Sequence, residues 1–379
     1  MYESCPNCGK KSITTLWCVN CDVEYLVENF RNWSSGDPKL DDFIRYTQKT
    51  AKENVDFLEW IEFSQFDLIN YTGKEGSFST VYSAIWMEGP LWNRDEAAGI
   101  WSRSGPTKVI LKRLNDSREL SDQFINQLYK YSKCLNGNSL ADCFGITRDN
   151  TSNIMFVFRY YNKKDAYSFL DSCEELLGWG DIVELLWSIV SGINKIHEHG
   201  LVHGHLHGGN ILIERDGNVL DAKVTDTGLH GPSFNTDSKG IFGVVPFVAP
   251  EVLKGSESTK ASDIYSFGMI MWMLSVGERP YYYRPHDRSL INDIISGLRP
   301  KPAEDSPSLY VQLMEKCLSA DPHKRPSAFD IYVLLEKWVI ALCDGPIPHD
   351  ISTQFSKSFK LIPLLNSNAI YYSRNLNFI

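Results

Sequence analysis

From about residue 66 the chain alternates short apolar stretches with turns, and beyond Tyr167 it becomes a series of long helical runs. Phe66 to Ile69, Thr80 to Trp86 and Lys108 to Arg113 read as strands around a glycine-bearing turn, and two further strands end at Ile154 to Arg159. Glu88 to Thr107, punctuated by Gly89-Pro90, Gly99 and Gly105-Pro106, reads as a long hairpin excursion. Helices are expected near Ser121 to Lys133, Ile182 to His197 and Ser262 to Leu274. Strands first and helices after mark an α+β chain in two lobes, one β-rich and one helical. With 379 residues, 43% of them hydrophobic, there is material for a sizeable core.

Four of the nine cysteines crowd the first 21 residues, as Cys5-Pro-Asn-Cys8 and Cys18-Val-Asn-Cys21. Two such knuckles in register can place four thiolates around one tetrahedral Zn²⁺. A single Cys-x-x-Cys pair would suggest redox chemistry; two argue for metal. A closed Cys₄ site leaves no open coordination position, so the expected role is a structural staple or docking surface. This gives a zinc-ribbon-like module over residues 1–30 and a bridging helical segment over 31–65. In the latter, Asp41 to Glu53 is expected to be helical, and Phe57, Leu58, Trp60, Ile61 and Phe63 to pack on the main domain. The tail, 344–379, is rich in Ser and Asn and is expected to be flexible.

The balance of 38 basic and 47 acidic residues, net charge −9, argues against a nucleic-acid binder or a ligand of anionic membranes. No apolar run approaches the roughly 18 residues of a membrane span. The start, Met1-Tyr2-Glu3-Ser4-Cys5, lacks the basic and apolar stretches of a signal peptide. The expected compartment is intracellular and reducing, hence cytoplasmic.

Several motifs then occur in a fixed order. Tyr71 to Tyr82 holds Gly73 and Gly76 ahead of Val81, and Val109-Ile110-Leu111-Lys112 comes after it. Ile154 to Tyr161 is an apolar strand leading to Arg159 and Tyr161. Next come His203-Gly204-His205-Leu206-His207-Gly208-Gly209-Asn210, Asp226-Thr227-Gly228, and a stretch ending Ala249-Pro250-Glu251. Asp263 and Arg325 complete the set.

Together these motifs make residues 66–343 resemble a protein kinase domain. Whole-chain resemblance is closest to fungal tyrosine-kinase-like sequences, which share the cysteine-rich head, the stretch Asn29-Phe30-Arg31-Asn32-Trp33 and the Gly209-Asn210-Ile211-Leu212 loop. The resemblance implies a bilobal fold. It also implies a nucleotide set of Gly73, Gly76, Val81, Lys112, Arg159, Tyr161, Asn210 and Asp226, with Phe158 as gatekeeper and Mg²⁺ held by Asn210 and Asp226. Glu251 is expected to pair with Arg325, and Asp263 to brace the catalytic loop.

Departures from the pattern bear on activity. His205 stands where the family has its catalytic Asp, and Gly204 where it has Arg. Gln127 falls at the place of the Glu that pairs with Lys112, with Asp122 as a conceivable substitute. Ser79 replaces the third lid glycine, and Thr227 replaces Phe. The expectation is a pseudokinase that retains residual ATP binding and works through protein partners in signalling. The alternative is an active Ser/Thr or Tyr protein kinase whose neutral imidazole at His205 serves as base. With Gly204 in place of Arg, phosphate on Ser233, Thr236 or Ser238 is expected to find no partner at that position.

Overall fold

The computed structural model describes residues 5, 8–10, 17–53, 56–76, 79–91, 93–95, 100–134, 139–161, 165–172, 177–216, 219–226, 241–304, 306–343, 358–359 and 367–376. Thr227, Gly228, Ser233, Thr236 and Ser238 lie outside the described residues. Those within 1–137 and 141–160 form one compact unit, and those within 138–140, 161–226 and 241–376 a second. No helix among the described residues is long and apolar enough to cross a membrane.

The first unit carries helices α1 (Cys21–Glu28), α2 (Pro38–Lys49) and α3 (Asp122–Ser132). Its strands are β1 (Glu59–Trp60), β2 (Phe66–Glu75), β3 (Ser79–Trp86), β4 (Asn93–Asp95), β5 (Ile100–Ser102), β6 (Thr107–Leu114), β7 (Cys143–Arg148) and β8 (Ile154–Arg159). Six of these strands form one sheet in the order β1-β7-β8-β6-β3-β2, antiparallel except where β1 joins β7. Ala84 and Trp86 of β3 alternate inward and meet Val109 and Leu111 of β6, Phe144 of β7, and Met155 and Val157 of β8. Ile61 and Phe66 close that core from the chain entering the sheet. The expected excursion is the separate β4–β5 hairpin.

Helix α2 starts earlier than composition suggests. Asp37 caps it by accepting from the Lys39 and Leu40 amides, and Pro38 supplies a preset first residue. Leu40, Phe43 and Ile44 lie on its buried face, and the rings of Phe43 and Tyr46 meet Tyr129 of α3 edge-on at 5.2 and 5.0 Å. Ser121 caps α3 by accepting from the Phe124 amide. The bridging segment therefore packs directly on α3. In the head, the second cysteine pair opens α1; residues 11–16, between the two knuckles, lie outside the described residues.

The second unit comprises α4 (Ala166–Ser172), β9 (Leu177–Gly178), α5 (Trp179–Glu198), β10 (Ile211–Asp216), β11 (Val219–Val224), β12 (Phe242–Gly243), α6 (Pro250–Leu253), α7 (Lys260–Val276), α8 (Arg288–Ile295), α9 (Ser308–Cys317), α10 (Ala328–Cys343), β13 (Ser358–Phe359) and β14 (Arg374–Asn375). Helix α5 is its centre, burying Ile182, Leu185, Leu186, Ile189, Ile193 and Ile196 at helical spacing. The Asp181 carboxylate accepts from the Gly178 amide at its start, and the Leu201 amide closes its end on Ile196 O. Helix α7 is apolar nearly all round and buried along most of its length, as a central helix must be.

Of the tail, residues 358–359 and 367–376 are described. Strand β13 pairs with β9, and β14 pairs antiparallel with β12. Tyr371 and Leu376 are buried and anchor the stretch 367–376.

Candidate active site and cysteine cluster

The expected nucleotide residues divide between the units, with Gly73, Gly76, Val81, Lys112 and Arg159 in the first and Tyr161, Asn210 and Asp226 in the second. In the first unit, Val81 of β3 is the register partner of Lys112 on β6, and Lys112 is the partner of Phe156 on β8. Side chains opposed in register share a face, so the three form one row. Gly73 lies in a bulge of β2, where the pairing jumps from Tyr71↔Tyr82 to Lys74↔Val81. Its φ of +77° requires the left-handed region, which explains a glycine placed one residue early for the family lid. Thr72 Oγ1 donates to Val81 O at 2.8 Å and pins that bulge. The Gly76 amide donates to Ser79 O at 2.8 Å; Ser77 and Phe78 lie outside the described residues. The Arg159 guanidinium lies 3.4 Å from Asp142 Oδ2.

Gln127 projects from α3 with its amide oxygen buried and without a hydrogen-bond partner among the described residues. Asp122 is no substitute acid, for it opens α3, is exposed and pairs with Lys39 of α2.

In the second unit the loop after α5 is braced from α7. The Asp263 carboxylate accepts from the amides of His203 and Gly204 at 2.8 and 2.9 Å, and His197 Nε2 lies 2.8 Å away. The expected bracing role of Asp263 is thus visible in the geometry. Gly204 holds φ of +77°, so this turn favours a residue without Cβ. His203 Nδ1 accepts from the His205 amide at 3.3 Å, which leaves Nε2 as the protonated nitrogen, 2.9 Å from Thr225 O. Asn210 Nδ2 donates to His205 O at 2.9 Å, so Asn210 also holds the loop. The Thr225 amide donates to Asn210 O, setting the chain just before Asp226, itself at φ +65°. His205 is half-buried and lines a groove with Gly204, Val244, Phe247, Val248 and Ser262.

Beneath the loop, His207 stacks on Tyr167, centroids 5.9 Å apart and planes 12° apart. His207 Nδ1 accepts from the Gly209 amide at 3.0 Å. Burial lowers its pKa from 6.5 to about 4, so the ring is neutral. This support is hidden from sequence reading; the only local signal is a third histidine in the loop. Glu251 and Arg325 form the expected pair, bidentate at 2.6 and 2.8 Å, with Arg325 Nε also donating to Ser319 O.

The head brings its four cysteines together. All four Sγ atoms lie within 4.8 Å of one another, with Cys8–Cys18 at 3.6 Å and Cys5–Cys21 at 3.9 Å. Zinc–thiolate bonds of about 2.3 Å imply tetrahedral S···S separations of about 3.8 Å, so the donor set fits the ion. The first knuckle is closed by the Gly9 amide on Cys5 O, the second by the Asp22 amide on Cys18 O. Buried Asp22, which carries no motif signal in the sequence, accepts from the Cys18 amide at 2.5 Å and from Trp101 Nε1 at 2.8 Å. Trp17 stacks on Phe57 and meets Trp101 at 5.6 Å. The cysteine module is therefore welded into the first unit.

A family model described as "Protein tyrosine and serine/threonine kinase" matches residues 70–335, more than half of the chain. The serine/threonine-protein kinase STY17 of Arabidopsis thaliana is 27% identical over 61% of this chain and 40% of its own length. A probable serine/threonine-protein kinase, roco8 of Dictyostelium discoideum, is 35% identical over 45% of this chain and 10% of its own. Ephrin type-A receptor 1 of Mus musculus is 32% identical over 53% of this chain and 20% of its own. The chain thus spans at most 40% of the length of these relatives.

Proposed function

The chain belongs to the protein kinase family, and on that premise we propose that it is a pseudokinase, a kinase-fold signalling protein that acts through protein contacts and retains residual ATP binding. The observation that carries this reading is His205. It sits in a loop whose bracing is complete, through Asp263, His203 and Asn210, at the place where the family has its carboxylate base. Scaffold is kept while the reacting group is replaced. General acid–base assistance typically supplies about 10²–10⁴-fold, and a neutral imidazole recovers only part of it. Gln127 compounds the loss, because an amide brings no charge to hold Lys112 in the arrangement phosphate transfer needs.

The family implies use of ATP and Mg²⁺. Lys112 would pair with phosphate oxygens, and Asn210 and Asp226 would hold the ion; when bound, the ion neutralises charge on the transferring phosphate. Retention of these three residues also favours the second reading, an active kinase with an unorthodox loop. Zinc on Cys5, Cys8, Cys18 and Cys21 is proposed as a structural staple. The test is the melting temperature of the full chain with and without ATP and Mg²⁺ or Mn²⁺, beside phosphate transfer. A stabilising shift without transfer is expected. No shift removes the nucleotide claim, and transfer removes the pseudokinase.

A further inference from the structure

The ten residues 367–376 return to the loop that faces the His205 groove. The Leu376 amide donates to Ile241 O at 2.7 Å, and β14 pairs Asn375 with Phe242 and Arg374 with Gly243. One residue further on, Val244 lines the groove that also holds His205. At its other end the same segment reaches the loop's underside. Tyr371 donates from Oη to Pro280 O at 2.8 Å, and its ring lies edge-on to His286 at 4.7 Å and to Tyr167 at 5.5 Å. Tyr167 is the ring on which His207 stacks, and the Arg279 guanidinium lies over both tyrosines, 4.8 and 5.3 Å from their centroids. Arg374 adds a bond to His286 O at 2.6 Å.

Two properties distinguish this contact from ordinary core. It is a strand addition, in which main-chain bonds give affinity and a side-chain pocket gives selectivity. Its burial is concentrated at Tyr371 and Leu376, while the backbone at Asn368 and Ile370 is tied to the single residue His286. A terminal segment anchored at two positions is the kind of unit that opens locally, without unfolding the helices around it.

We propose that residues 367–376 are a removable strap occupying an edge, Phe242–Gly243, that accepts an extended peptide from a protein partner. The chemistry of the occupied site defines that partner. It would carry a tyrosine, seated among Pro280, His286 and Arg279, and three residues later an arginine in extended backbone, as Tyr371 and Arg374 do. Tail and partner compete, so the Phe242–Gly243 edge is open to the partner only when the strap is displaced. The inference rests on the protein-contact reading for the existence of a partner, and its test reads binding without reading phosphate transfer.

The experiment uses a fluorescent synthetic peptide of residues 367–376 and measures its anisotropy. It is titrated with the full chain, with a chain ending at Asn366, and with a full-length Tyr371→Ala, Leu376→Pro variant that loses both anchors. A tethered segment acts at an effective concentration of order millimolar. The full chain is therefore expected to bind the peptide at least about tenfold more weakly than either altered chain, and a peptide carrying Tyr371→Ala should fail to bind. Equal affinity for all three chains would overturn the proposal. So would loss of cooperative melting in both altered chains, which would make the segment an integral part of the core.

Discussion

The indole of Trp101 donates to the carboxylate of Asp22 across 79 positions of sequence, joining the hairpin excursion to the cysteine cluster. Because Asp22 also accepts from the Cys18 amide, the second knuckle and the first unit share one buried carboxylate. One zinc per chain is expected by metal analysis, and stripping it with a strong chelator should red-shift tryptophan emission as Trp17 and Trp101 lose their packing. Freely alkylated Cys5, Cys8, Cys18 and Cys21 in a metal-free preparation would contradict this.

The Glu251–Arg325 pair is sealed in the second unit, the arginine side chain wholly buried and the glutamate side chain 19% exposed. Removing one partner leaves a buried charge uncompensated, so Arg325→Ala is expected to cost about 3–5 kcal/mol. Chemical denaturation of the purified variant checks this, and a loss below about 1 kcal/mol would show that the pair is solvated.

Stability should fall in acid through His207. Its folded pKa of about 4 lies below its ordinary 6.5, so the unfolded chain binds a proton that the native chain refuses. The native state therefore loses stability as pH drops from 6.5 towards 4, by up to about 3 kcal/mol from this ring alone. His207→Phe keeps the stacking on Tyr167 without a titrating group, and should flatten that part of the stability–pH profile. An unchanged profile would place the titration elsewhere.

Repair of the loop meets a backbone obstacle at Gly204. Its left-handed φ makes Gly204→Arg a strained substitution, with a cost of order 1–3 kcal/mol. Adding Gly204→Arg to His205→Asp and Gln127→Glu should therefore lower the melting temperature relative to the same protein with Gly204 retained. An equal or higher melting temperature would show that the loop accommodates a side chain at this position.

Much of this molecule is legible in the chain. Strand and helix order, the Ser121-led helix and the Glu251–Arg325 pair come from short-range patterning and a family frame. The rest depends on long-range contact. Asp22 shows nothing locally of Trp101, and nothing in the tail's sequence singles out Tyr371 and Leu376 as its anchors. Cysteine spacing fixes ligands and not the backbone that follows them, so the helix beginning at Cys21, whose formation is set by the residues from Asp22 to Glu28, is not read from the knuckles. On paper Asp122 comes within reach of Lys112, yet its position at the first residue of α3 turns it to Lys39.

The central claim, a kinase scaffold that has given up phosphate transfer, is tested most directly by the rate of γ-phosphate transfer from ATP and Mg²⁺ by the wild-type chain beside its His205→Asp variant. Both are expected at background, because restoring the carboxylate leaves Gln127 without the charge of the family's Glu. Transfer by the wild-type chain that disappears in Asp226→Asn would show an active kinase. Robust transfer by His205→Asp alone would show a single lesion in otherwise competent machinery, and either result would contradict the account.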